Sequence, residues 1–409
     1  MSAAVGFVPS RGPSAGSIRP VDLDELQRHW NEWGRRDPYW AIISRPDRRG
    51  NRWDLEEFLR TGVDEIDELL AWLRELGVTV RPGRALDFGC GVGRLTQALA
   101  RTFAECDGVD IAPSMIERAG VLNQFGEKCR YHVNDRDDLA LFDDGTFDLI
   151  YSDIVLQHIA PQFSAKYVKE FTRVLAPGGV AVFQLPSHPL GSDEQGPRHL
   201  SIGDDAFRAE ILPADARLEL EAGQISEIVV DVRNASTIAW PADRFVTLGN
   251  HWRSETGAML RTDDGRASVG ENVAPGVTIP LALEMQAPTE PGAYLLELDL
   301  VIEGVAWFAD RGSPTATIPV QVVPRTAVDP TEEPELLPVM EIHGIARADV
   351  EETLRAGGLE IVTVRETDKA AGWRDYWYVA TKPAATKPDP TTRAPRRARG
   401  FLRRHRSDS

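Results

Sequence analysis

A chain of 409 residues, 42% apolar and 8% aromatic, has room for two or three domains, each with its own core. Its 63 acidic against 46 basic residues, a net charge of −17, exclude nucleic acid as the main partner, because phosphate neutralisation needs a basic face. Three cysteines, Cys90, Cys106 and Cys129, odd in number and lacking zinc-ligand spacing, exclude a disulfide frame and argue for a reducing compartment with no metal site.

Residues 1–20 are rich in Gly, Ser and Pro and read as disordered, without the apolar stretch of a signal peptide. No segment reaches the ~18 uncharged apolar residues of a membrane span, so the expected location is cytoplasmic. Residues 21–80 read as a helical cap, interrupted by a loop at "RPDRRGN"; Leu59, Val63, Ile66, Leu70 and Leu73 recur at the spacing of one helix face. Trp30, Trp33, Tyr39 and Trp40 lie in its first part, either as packing or as a lid over an acceptor. From 81 to 190 the pattern alternates. Strand "ALDFG" leads to a helix with Leu95, Leu99 and Phe103 four apart. Strand "CDGVDI", helix "PSMIERAGVLNQF" and strands "RYHVND" and "FDLIYSD" follow. Helix "SAKYVKEFTRVL" is stopped by "APGG" before strand "VAVFQLP". Strands separated by helical crossovers predict a mostly parallel sheet covered on both faces.

Residues 200–325 change texture to short strand-like segments such as "EIVVDVRN", "TIPLALEMQAP" and "TATIPVQVV", joined by Gly, Pro, Asn and Asp turns. They predict an all-β sandwich of immunoglobulin size. An acidic, proline-rich linker follows. Residues 339–383 supply a helix at 346–356 and two strands, "LEIVTVRETD" and "DYWYVATKP". The basic tail, 384–409, reads as disordered and suited to weak contact with an anionic membrane surface.

The stretch "RALDFGCGVGRLTQALA" is a strand, a three-glycine turn and a helix. Such a turn lets a ligand approach the backbone and points free helix N–H groups at it. Gly89, Gly91 and Gly93 run G-x-G-x-G, with Arg94 next, which departs from the dinucleotide fingerprint. Asp87, two residues before the first glycine, would repel a pyrophosphate but suits a ligand carrying an ammonium group. Asp110 ends the next strand, where a carboxylate can accept both ribose hydroxyls.

"LDFGCGVG", "VDIAPSMIERA", "FDLIYSDIVLQHI" and "RVLAPGGVAVFQLP", in this order, resemble the motifs of class I S-adenosylmethionine-dependent methyltransferases. The resemblance implies an α/β, Rossmann-like seven-stranded sheet, interrupted here by the immunoglobulin-like sandwich and completed by residues 339–383. It also implies S-adenosyl-L-methionine as cofactor. The loop from Gly89 through Cys90 and Gly91 to Gly93 would lie against its methionyl part, and Asp87 would hold its amino group. Asp110 would bind the ribose, and Ile111 would pack on the adenine. Asp135 would reach the adenine amino group, with Asn134 or Arg136 contributing by backbone. Ser152 and Asp153 would line the methyl-transfer site.

A hydroxyl acceptor needs a base, and His158, after the fourth strand and titrating near neutral pH, is the first candidate; a structural histidine is the alternative. His188 and His343 are weaker ones. The acceptor reads as a glycan or glycolipid precursor recruited by the sandwich, through Trp240, Trp252 and Trp307 if these are exposed rather than core. Alternatives are a small metabolite with the insert used for dimerisation, and a cofactor-binding scaffold without turnover. The oligomeric state is not legible.

Overall fold

The computed structural model describes residues 8–9, 22–189, 192–193, 196–197, 204–240, 246–261, 265–270, 272–302, 306–325, 336–370 and 372–384. The N-terminal stretch 1–20, apart from residues 8–9, and the basic tail beyond 384 lie outside the described residues. Helix α1 (Leu23–Arg36) starts at Asp22 and α3 (Leu55–Glu75) at Asp54; each aspartate accepts a first-turn N–H, from Glu25 and Glu57, at 2.9 Å. These caps satisfy donors that no helical carbonyl can reach. Between them lies the short α2 (Pro38–Ile42). The buried stripe of α3 is Phe58, Gly62, Ile66, Leu69 and Leu73, rotated from the expected Leu59–Val63–Leu70 face. Gly62 explains the rotation: a Cβ there would stand 2.7 Å from the Arg94 carbonyl, so only glycine lets α3 settle on the helix after the glycine loop.

The first sheet is built from β1 (Arg84–Phe88), β2 (Glu105–Asp110), β3 (Cys129–Val133), β4 (Phe147–Ser152) and β5 (Leu175–Pro189). Helices α4 (Arg94–Leu99), α5 (Pro113–Leu122) and α6 (Pro161–Val174) cross over between them. Helix α4 ends at Leu99, so Phe103, expected on it, is buried from the turn that follows.

Residues 209–323 form two further sheets. Strands β6 (Ala209–Pro213), β8 (Ile225–Asn234) and β12 (Thr278–Gln286) make one. Strands β7 (Leu218–Glu221), β9 (Val246–Ser254), β10 (Met259–Arg261), β11 (Arg266–Ser268), β13 (Gly292–Ile302), β14 (Ala306–Trp307) and β15 (Ala316–Val323) make the other. Alternate residues of β8 and β12, among them Val230, Val232, Leu281 and Leu283, face one apolar core with Leu296, Leu298 and Leu300 of β13.

The chain then returns through β16 (Glu341–Ile342) and α7 (Arg347–Ala356) to β17 (Glu360–Thr367) and β18 (Trp373–Thr381). The strand order of the first sheet is β17-β18-β5-β4-β1-β2-β3, with β18 antiparallel to both neighbours and every other pair parallel. This is the Rossmann-like seven-stranded sheet that the sequence predicts. The ends of β1, β2 and β4 meet where the strand order reverses, the crevice that open parallel sheets offer to ligands.

Candidate active site

A cavity of about 570 Å³ opens at the C-terminal ends of β1, β2 and β4, roofed by α1, α2 and α3. Its floor is the glycine turn. Gly89, Gly91 and Gly93 hold φ of +78°, +52° and +81°. A Cβ on Gly89 would lie 2.2 Å from Val155 and one on Gly91 2.5 Å from Ile42, so bare backbone is what leaves the floor open. The N–H groups of Gly89 and Cys90 donate to the Val109 carbonyl at 2.8 and 3.0 Å, which ties the turn to β2.

Asp110, at the end of β2, lines the cavity. Its carboxylate accepts the Gly91 N–H at 2.8 Å and the Ala112 N–H at 2.9 Å, which fixes its orientation. Burial pushes its pKa up, against the pull of those amides. Each oxygen keeps a second lone pair. Ile111, Met115 and Asn134 form the adjoining wall, and the Gln27 side chain of α1 reaches the Ile111 carbonyl at 2.9 Å.

The opposite end is charged. Arg94, directly after Gly93, donates to Glu65 of α3 at 2.8 Å and to Thr61 at 3.3 Å, while its Nε is buried without a partner. Tyr151 donates to the other Glu65 oxygen at 2.9 Å. Asp153, whose side chain is 2% exposed, pairs with Lys369 at 2.5 Å. Lys369 comes from the turn between β17 and β18. Burial, reinforced by the nearby Glu65 carboxylate and opposed by Lys369, pushes Asp153 up to about 7. Burial would raise Glu65 as well, but Arg94 and Lys369 outweigh it and hold that carboxylate below its usual range. Ile154, next to Asp153, holds φ +56°, a strained state for a β-branched residue.

The sequence-selected residues divide. Gly89, Cys90, Gly91, Asp110, Ile111, Asn134, Asp153 and His158 line the cavity. Asp87 does not: it is enclosed beneath the turn, where one oxygen accepts the Thr96 hydroxyl at 2.6 Å and the other is unpartnered. Enclosed there, Asp87 is not placed to hold a ligand's ammonium group, contrary to the expectation. Gly93 caps α4 and makes room for Tyr131, and Ser152, the last residue of β4, is fully buried. Asp135 and Arg136 are exposed, and Arg136 forks onto Asp138 at 2.9 and 2.7 Å; of that loop, Asn134 alone lines the cavity.

His158 is a wall residue rather than a poised base. Its Nδ1 donates to the Glu341 carbonyl at 2.7 Å, its Nε2 faces the Gln157 amide at 3.2 Å, and its ring lies 5.2 Å from that of Trp30. Burial pulls its pKa down to about 4, against the Glu341 carbonyl, so the ring is neutral with its Nε2 lone pair engaged. His188 and His343 do not line the cavity; they bond to Ser187 and Glu341. Of the four aromatics, Trp30 lines it, while Trp33, Tyr39 and Trp40 pack around Phe58 and Met115. Trp240, Trp252 and Trp307 are 2%, 1% and 9% exposed, so they are core and no carbohydrate-binding face. Glu65, Lys369, Gln157, Gln184 and Asp375 were missed by sequence reasoning; Arg94, beside the third glycine, was the one visible signal.

Among the described residues, no group of three or more His, Cys, Asp or Glu is placed to hold a metal, and no helix is long and apolar enough to cross a membrane. A molecule with a ribose, an aromatic base and an amino-acid end fits this donor set: fixed carboxylate, apolar slot, then paired charges of both signs around an orphaned guanidinium Nε.

Residues 86–183 match a protein family described as a methyltransferase domain. The chloroplastic tocopherol O-methyltransferase of Arabidopsis thaliana is 35% identical over 129 residues, 31% of this chain and 34% of that enzyme. The 2-methyl-6-phytyl-1,4-hydroquinone methyltransferase of Synechocystis is 30% identical over 156 residues, 37% of this chain and 47% of that one. The chain thus spans between a third and a half of the length of these curated relatives. Among solved structures, the magnesium protoporphyrin IX methyltransferase of Synechocystis with bound SAH superposes with a TM-score of 0.40 at 13% identity, covering 88% of this chain and 100% of that one.

Proposed function

We propose that this chain, whose residues 86–183 match a methyltransferase domain, is a class I S-adenosylmethionine-dependent methyltransferase that moves a methyl group onto an oxygen or nitrogen of a small organic acceptor. One observation carries the reading: the glycine floor, the amide-fixed Asp110 and the Asp153–Lys369 pair face one another across a single cavity. S-adenosylmethionine supplies, when bound, a methyl group made electrophilic by its sulfonium. The loop from Gly89 to Gly91 and Asp110 would hold its methionyl and ribose parts, Ile111 and Asn134 its adenine, and Arg94 with Glu65 its amino-acid end.

The chain's own contribution is positioning and proton handling. Trp30, Ile43 and Met340 enclose the acceptor side and exclude water. Asp153, raised to about 7, is the proton acceptor for a hydroxyl or ammonium brought into the cavity. A small acceptor is favoured over a glycan because the three tryptophans of the second unit are core. The tocopherol O-methyltransferase and the hydroquinone methyltransferase among the relatives support a small aromatic acceptor, the first of them an oxygen. Residues 200–325 are read as an inserted module, in a protein of the cytoplasm.

Calorimetry with S-adenosylhomocysteine tests the reading. Asp110→Ala should lose about 1–3 kcal/mol of affinity as the ribose hydroxyls lose a charged acceptor. Unchanged affinity would remove the cavity as the cofactor site. Methyl-labelled cofactor with a panel of phenols, quinols and amines then separates turnover from a scaffold that binds without reacting.

A further inference from the structure

Asp153 and Lys369 come from segments 216 residues apart, yet a closed ring of hydrogen bonds runs behind their ion pair. Asp375 is fully buried on β18. Its Oδ2 accepts the N–H of Ala370, the neighbour of Lys369, at 3.1 Å. Its Oδ1 accepts the side-chain N–H of Gln184 at 2.6 Å and the Tyr376 N–H at 2.8 Å. The Gln184 carbonyl accepts the N–H of Ile154, the neighbour of Asp153, at 3.2 Å. Gln184 also donates to Gln157 at 2.9 Å, and Gln157 in turn faces His158.

The ladder between β18 and β5 shifts register between Arg374 and Asp375. A bulge of this kind re-aims a side chain beside a site. Here the re-aimed carboxylate takes up the donor beside Lys369 directly and reaches the Asp153 side through Gln184. The Ile154 turn is strained, and strain persists where surrounding bonds over-determine it. Among the described residues, it is the Gln184 side-chain oxygen that restrains that N–H.

We infer that Asp375 and Gln184 are positioning residues, a buried clamp that sets Asp153 against Lys369 at the methyl-transfer end of the cavity. The inference rests on the methyltransferase reading for its purpose but not for its geometry. The clamp also makes the site depend on the returning C-terminal hairpin, because β18 carries Asp375 and the turn before it carries Lys369. An acceptor reaching Asp153 meets a carboxylate whose partner and direction are fixed before it arrives.

Amine acylation of the intact protein, read peptide by peptide by mass spectrometry, tests the clamp without any ligand. Pairing lowers the neutral fraction of a lysine and slows its acylation. Asp375→Asn and Gln184→Met should each speed labelling of Lys369 roughly tenfold, to the rate expected of Asp153→Asn. Lys382 is the internal control: it donates to the Thr172 and Leu175 carbonyls at 2.8 Å just beyond the other end of β18. A clamp releases Lys369 alone. An unchanged Lys369 rate in both variants, or release of both lysines together as in a loosened hairpin, overturns the proposal.

A second arm titrates S-adenosylhomocysteine into wild type, Lys369→Met, Gln184→Met and the double variant. Losses that fall well short of adding support the clamp, since the second change finds the pair already broken; additive losses count against it. A wild type that takes up no S-adenosylhomocysteine refutes the methyltransferase reading, and the labelling arm still decides the clamp.

Discussion

Asp87 stands where its charge invites a ligand's ammonium group, and the fold uses it otherwise. Its carboxyl is enclosed under the glycine turn, and burial pushes it up to about 7, against the Thr96 hydrogen bond and Arg94. The unfolded chain releases this proton near the ordinary value of 3.8. Stability is therefore full below that value, falls as pH rises toward 7, and levels off above it. Asp87→Asn keeps an acceptor for Thr96 and removes the buried charge. It should be more stable than wild type by about 1–3 kcal/mol at pH 8, with the difference vanishing at pH 4, as read by thermal melts at both values. His158 has the opposite sign. Its folded pKa near 4 lies below the ordinary 6.5, so it contributes stability that is present above 6.5 and lost as pH falls through 4. His158→Ala should melt earlier, by about 2 kcal/mol, because the Glu341 carbonyl loses its donor and Trp30 its neighbour. A variant with unchanged melting and a hundredfold loss of turnover would restore it as the base.

The turn from β1 into α4 is the element on which both the sequence argument and the cavity depend. Gly89→Ala meets two obstacles at once, a φ of +78° and Val155 at 2.2 Å. The variant should fold with a lowered melting temperature and bind S-adenosylhomocysteine about 100-fold more weakly, since Val155 can yield only into the cavity; calorimetry measures this. The turn was legible because glycine spacing, strand pattern and the carboxylates that follow are all local in sequence. So were the strands that build the parallel sheet. Asp153 was legible too, but its partners were not, for a physical reason. Asp153, Ile154, Gln184, Lys369 and Asp375 are joined by hydrogen bonds across segments separated by up to 216 residues, and no periodicity records such a ring. His158 misled for a related reason. Its position after β4 puts it in the cavity wall, but its partner is the carbonyl of Glu341, 183 residues further on. Burial direction was hidden in the same way for the tryptophans, because Trp240 and Trp252 need the opposing sheet to become core.

At the scale of the whole molecule, β17 and β18 complete the sheet begun at β1, although residues 209–323 intervene with two sheets of their own. Among the described residues, the return segment beside β16 touches both units. The Leu337 N–H donates to the Gln286 side chain of the second unit, where Glu284 also lies 3.7 Å from both Arg36 and Arg49, while the Val339 and His343 N–H groups tie the return segment to His29 and the Gln157 carbonyl of the first. Surface pairs at that distance are worth little. The hairpin is different: Trp377 stacks on Tyr151 at 5.8 Å and Tyr378 on Phe183 at 5.1 Å, and β18 covers the edge of β5 along its length. Replacing residues 198–330 with a short Gly/Ser linker should therefore leave a folded protein that binds S-adenosylhomocysteine, because long insertions cost little once both ends are held by the parent sheet. Removing residues 339–383 should not, because it strips Lys369 and Asp375 from the cavity and bares the β5 edge to aggregation. Circular dichroism, size-exclusion chromatography and calorimetry on both proteins decide. A soluble, ligand-binding truncation beside an insoluble excision would mean that the intervening unit, rather than the hairpin, supports the catalytic sheet.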